Sequence, residues 1–101
     1  MSDSSTKQRT ETRLRTERPR LHKVILLNDD FTPREFVVKV LQSVFRMGEP
    51  QAEMVMLTAH QKGSAVVAVY TREIAETKAE EAIELSQRFG FPLMVTTEPE
   101  E

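Results

Sequence analysis

The chain has 101 residues, 39% hydrophobic and 30% charged, with a formal charge of −2 and no cysteine. That length suits one domain around a single modest core. The lack of cysteine excludes disulfides and thiolate chemistry and fits a reducing compartment, and no apolar run approaches a membrane span or a secretory signal core.

The near-neutral average hides a split. Residues 1–20 carry six Lys/Arg against three Asp/Glu, whereas residues 21–101 carry eight against thirteen. Met1 and Leu14 are the only sizeable apolar side chains in that first segment. It cannot bury enough surface to offset its ordering entropy, and residues 1–20 are read as a disordered N-terminal extension. Asp3, Glu11 and Glu17 and the lack of an apolar face argue against a transit peptide. With no aromatic residue to stack on bases, the arm is a poor nucleic-acid binder.

The body begins with an apolar strand, His22-Lys23-Val24-Ile25-Leu26-Leu27. Asn28-Asp29-Asp30-Phe31-Thr32-Pro33-Arg34 follows it. Thr32 reads as an N-cap, Pro33 as the first helical residue, and Glu35 as the reciprocal member of a capping box. Phe31 and Phe36 fall at the two ends of a hydrophobic staple. Such a turn holds two carboxylates and an amide rigidly beside apolar surface, which suits a small cation attached to something greasy. Asn and Asp also favour turns for purely local reasons.

Phe36, Val37, Val40, Leu41, Val44 and Phe45 form an apolar stripe at helical spacing, predicting a helix over 33–47 that Gly48 stops. Pro50 starts a second helix bearing Ala52, Val55, Met56 and Ala59, and Gly63 ends it. Ala65 to Tyr70 is a β-rich run, too apolar to be an edge wet on both faces. Thr71 could cap a third helix, 72–89, where Ala75, Ala79 and Ala82 permit close packing; Gly90 and Pro92 terminate it. Residues 93–97 make a last strand, and the acidic end, 98–101, is expected to be loose. The order β-α-α-β-α-β predicts an α+β fold, a small three-stranded antiparallel sheet with three helices on one face.

Most chemistries can be set aside. His60 lies one turn after Met56 on the same side of its helix. Its only companion is the distant His22, so no metal-binding histidine pair exists. Asp29 and Asp30 could hold Mg²⁺ as in a phospho-acceptor domain, but that architecture needs a longer, parallel sheet. Neither Ser43, Ser64 nor Ser86 sits at a strained elbow, and each glycine falls at a helix end rather than in a phosphate-cradling loop. No enzyme, cofactor or metal is expected. The run Thr71-Arg72-Glu73-Ile74-Ala75-Glu76-Thr77-Lys78 reads either as a solvated helical face or as a docking surface.

Taken together, Asn28 to Pro33 with Glu35-Phe36-Val37, Met56-Leu57 with His60 and Gly63, Val69-Tyr70-Thr71 with Ala75 to Lys78, and Pro92-Leu93 resemble the ClpS family over about residues 22–97. Those proteins are bacterial adaptors that bring N-end-rule (N-degron) substrates to the ClpA-type AAA+ unfoldase of the ClpAP protease. The resemblance implies that Asn28, Asp29 and His60 bind the substrate's free α-amino group. It implies a pocket of Asp30, Thr32, Val37, Met56, Ala59 and Leu93, with Arg34 at its mouth, for a first residue that is Leu, Phe, Tyr or Trp. Glu73 and Lys78 match positions that contact the unfoldase's N-terminal domain, and the arm matches an extension used in substrate hand-off. A cytoplasmic monomer without nucleic-acid or membrane partners is the accompanying expectation.

Two positions depart from the family pattern, which usually has Met at 34 and Val at 59. Arg34 could lay its stem along the pocket and offer a cation–π contact to an aromatic ligand. It also places positive charge near the ammonium and in the first helical turn, where charge of that sign is unfavourable. Ala59 removes two methyl groups and loosens the floor. The expectation is a narrowed or weakened preference that favours aromatic first residues over Leu. A docking regulator that carries no cargo is the competing reading.

Overall fold

Leu21–Leu27 alternates between buried positions and half-buried or exposed ones, with His22, Val24 and Leu26 turned inward. This is the period of a strand with one face covered. The computed structural model describes residues 20–100, so the expectation of a disordered arm lies, Arg20 apart, outside the described residues. Strand β1 (Leu21–Leu27) leads to helices α1 (Arg34–Phe45) and α2 (Glu49–Lys62). Strand β2 (Ser64–Thr71), helix α3 (Arg72–Arg88) and strand β3 (Met94–Pro99) complete the order. The sheet is antiparallel throughout, ordered β2-β1-β3, the small three-stranded α+β arrangement expected from the sequence.

The core lies between the sheet and the helices. Val24, Leu26, Ala65, Val67 and Val95 come from the strands, and Val37, Val40, Leu41 and Val44 from α1. Ala75, Ala79 and Ala82 are buried at intervals of four and three along α3, so their small side chains let that helix lie close to the sheet. Ser86 is fully buried in the same stripe and donates to the Ala82 carbonyl at 2.9 Å, which satisfies its hydroxyl. β2 is an edge strand with one face covered: Ala65 and Val67 are buried, whereas Val66 and Val69 are exposed. Its register against β1 shifts between Val24 and Ile25, where Val67 is the extra residue of a bulge.

Local expectations fail where tertiary packing offers something better. The staple does not form: Phe31 is 79% exposed, and Phe36 packs instead on Phe89 and Phe91 with ring centroids 5.3 and 4.8 Å away. Two rings give Phe36 more apolar contact than one solvent-facing partner could. α1 stops at Phe45 rather than 47, because Arg46 adopts the left-handed cap (φ 57°) with its N–H on the Leu41 carbonyl. Gly48 takes an ordinary extended conformation and starts α2 instead. The loose C-terminus is also corrected. β3 runs to Pro99, paired with His22, and Glu98 lies 3.4 Å from Lys23 across the strands. Glu100 N–H then donates to the Leu21 carbonyl at 2.8 Å. An edge position lets the strand tolerate Pro99.

Gly63 is the position where the backbone most needs glycine, at φ 95°, and a Cβ added there would point into open space. Gly63→Ala therefore meets no clash, only left-handed backbone strain of about 1–2 kcal/mol. Urea denaturation should show that loss; an unchanged midpoint would contradict the assignment.

Candidate functional site

β1 ends with Leu27 opposite Ser64, and one residue later the Asn28 N–H donates to the Gly63 carbonyl at 3.0 Å. Gly63 in turn closes α2, its N–H on the Ala59 carbonyl at 2.8 Å. These bonds bring the last turn of α2, which carries His60, beside the corner that follows β1. Inside that corner Asp29 Oδ1 accepts the Phe31 N–H at 2.9 Å and the Thr32 N–H at 2.7 Å. The turn is thus built by an aspartate bonding its own backbone, and the second carboxylate oxygen takes no part in it.

This turn replaces the expected capping box. Pro33 is the N-cap rather than the first helical residue, and its carbonyl accepts the Phe36 and Val37 N–H groups at 3.0 and 3.1 Å. No side chain caps α1. Asp29 holds the amide of Thr32 itself and Pro33 is the N-cap, which leaves the Thr32 hydroxyl one position outside the helix. Thr32 is 8% exposed and its Oγ1 is buried with no hydrogen-bond partner among the described residues.

A cavity of about 310 Å³ opens between the corner, the start of α1 and the end of α2. It falls at the small end of the range for ligand sites. Exposed Asn28, Asp30, Arg34 and His60, with half-buried Asp29, carry its polar groups. Buried Thr32, Val37, Ala59 and Leu93, with half-buried Met56, line its wall. Every residue that the resemblance assigned to the α-amino site or the pocket lines this one cavity. Leu26, Leu27 and Pro33 line it as well and were not singled out from sequence. Their signal was position: they flank the corner on both sides.

One contact was not anticipated. Arg34 Nη2 lies 2.7 Å from His60 Nε2. A guanidinium only donates, so Nε2 is the acceptor and the neutral ring carries its proton on Nδ1. Among the described residues, no group of three His, Asp or Glu is placed to hold a metal ion.

Glu73 and Lys78 lie away from this cavity on α3, which starts at the opposite end of β2. Glu73 is exposed beside half-exposed Ile74. Lys78 Nζ donates to the Val44 carbonyl at 3.0 Å and lies 3.8 Å from Glu81. Lys78 therefore ties α3 to the C-terminal turn of α1, where a cation suits the helix dipole.

Residues 17–96 match the protein family described as "ATP-dependent Clp protease adaptor protein ClpS". The chain is 57% identical, over the full length of both proteins, to the ATP-dependent Clp protease adapter protein ClpS 1 of Bradyrhizobium diazoefficiens. It is 59% identical, again at full coverage, to ClpS 2 of Agrobacterium fabrum. The solved structure of Agrobacterium tumefaciens ClpS2 bound to L-phenylalaninamide is similar with a TM-score of 0.81 and 65% identity. That match covers 82% of this chain and all of the other.

The unpartnered Thr32 hydroxyl generates a stability prediction. Thr32→Val keeps the shape and removes the buried polar atom, so it should stabilise the fold by about 1 kcal/mol. Thermal or urea unfolding reads this directly, and a destabilised variant would show that the hydroxyl is satisfied after all.

Proposed function

The chain belongs to the ClpS family of Clp protease adaptor proteins, and on that premise we propose that it is a non-enzymatic adaptor for N-degron substrates. It binds the free α-amino group and large hydrophobic first residue of a substrate and delivers it to a ClpA-type AAA+ unfoldase in the cytoplasm. The observation that carries this reading is the meeting of Asn28, Asp29 and His60 at the rim of one cavity with an apolar wall.

An α-ammonium presents three N–H donors and one positive charge, so it needs several converging acceptors of which at least one is anionic. Asp29 has an oxygen to spare, Asn28 offers an amide carbonyl, and the His60 lone pair is the third acceptor. The start of α1 would by itself repel an ammonium, and the carboxylates of Asp29 and Asp30 outweigh that field. Val37, Met56, Ala59 and Leu93 then take the first side chain out of water. L-Phenylalaninamide, the ligand of the A. tumefaciens relative, combines a free α-amino group with a benzyl side chain. Those are the two features that this rim and wall suit.

Charge-assisted hydrogen bonds contribute about 1.5–3 kcal/mol each and burial of a Leu or Phe side chain about the same. Set against the roughly 4–15 kcal/mol cost of association, gains of this size leave only a modest net affinity. An adaptor that must release its cargo needs no more. Glu73, exposed near the far end of the sheet, and Lys78 form the unfoldase-docking patch on this reading. Because Lys78 also ties α3 to α1, its substitution must be read against a stability control.

Fluorescence anisotropy with a Phe-initiated peptide tests the reading: the free peptide binds and its N-acetylated twin does not. Equal binding of the two would overturn it. Within a panel of first residues, Phe, Tyr and Trp should outrank Leu, and Arg34→Met should narrow that gap. A ranking unchanged in the variant would show that Arg34 is not the gate.

A further inference from the structure

Arg34 and an incoming α-ammonium require the same atom. His60 Nε2 has one lone pair, and the Arg34 guanidinium holds it at 2.7 Å. Both cations are donors only, so they cannot share that acceptor, and like charges at this distance repel. Binding in the manner proposed above therefore obliges Arg34 to leave His60.

A second position for the guanidinium lies next door. Arg34 lines not only the main cavity but also a separate groove of about 250 Å³ between α1 and α2. Glu49 and Glu53 line that groove from the first turns of α2, with Glu35 and Lys39 lining it from α1, and all four are exposed. Met56 stands on the ridge between the two, since it too lines both. A long, exposed side chain at the start of α1 can pass from one to the other by rotamer changes alone, without moving the helix.

We infer that Arg34 is a two-position latch, held on His60 over the cavity in one position and on the Glu49 and Glu53 carboxylates in the other. An α-ammonium takes over the His60 lone pair, and the carboxylates receive the displaced guanidinium. The latch taxes every ligand through the fraction of chains whose latch is open, and the Arg34 stem that lines the cavity adds a contact that differs between first residues. Side chains that fill the cavity well overcome the tax, and smaller ones fall below a useful affinity. Glu49 and Glu53 are thus positioning residues that never touch the substrate.

This inference rests on the ammonium-binding reading, and a double-mutant cycle separates the two. A Phe-initiated peptide is titrated into the full-length chain, the Glu49→Gln/Glu53→Gln variant, Arg34→Met, and the combined variant. All the altered side chains are exposed, so folding is preserved. Neutralising the carboxylates should weaken binding about threefold when Arg34 is present, the size of one exposed ion pair, and leave it nearly unchanged when Met stands at 34. Equal effects in both backgrounds would reduce Glu49 and Glu53 to long-range attraction of the ammonium and overturn the latch. Absence of binding by all four proteins would overturn the reading of the cavity, and the latch with it.

Discussion

The hydrogen bond from Asn28 N–H to the Gly63 carbonyl is the constraint on which the site depends. It joins two points 35 residues apart in sequence, immediately beyond the last ladder pair of β1 and β2. Without it the corner after β1 and the last turn of α2 would be separate surface features. With it, an aspartate-built turn and an imidazole share one small cavity. Gly63 makes the bond possible, because only a left-handed residue lets α2 end and β2 begin with its carbonyl turned toward Asn28.

The same sheet separates the two surfaces that an adaptor needs. The cavity lies at the Leu27 and Ser64 end of the β1–β2 ladder, and α3 begins at the Thr71 end. Seven residues of strand span about 23 Å. On the proposed reading, cargo and unfoldase therefore meet opposite ends of a rigid sheet and do not compete for surface. The anchoring of Lys78 to the Val44 carbonyl adds stiffness between α1, which frames the cavity, and α3, which carries Glu73.

Much of this was legible in the sequence because the relevant signals are local and strong. The stripe from Phe36 to Phe45 and the small residues of α3 each follow from helical spacing, and β1 from its apolar run. The cavity-lining residues were legible as well, through their resemblance to the ClpS family. The misses share a cause. Thr32 was expected to cap α1, but the turn built by Asp29 leaves it one residue outside the helix, with Pro33 as the N-cap. Phe36 found Phe89 and Phe91 from the other end of the chain, and Glu98 found Lys23 across the sheet. Arg34 meeting His60 belongs to the same class, with 26 residues between them. A local rule states what a residue prefers among its neighbours in sequence, and each of these residues had a better partner from a distant segment.

The central claim is spatial: the strand-end corner and the last turn of α2 form one ligand site. Titration of the isotope-labelled chain with L-phenylalaninamide, followed by NMR, tests it most directly. The account predicts that the largest shifts cluster at residues 28–32 and 59–63, with the His60 ring nitrogens among them and the exposed face of α3 silent. Shifts confined to one of those two segments, or centred on α3 or the open face of the sheet, would contradict it.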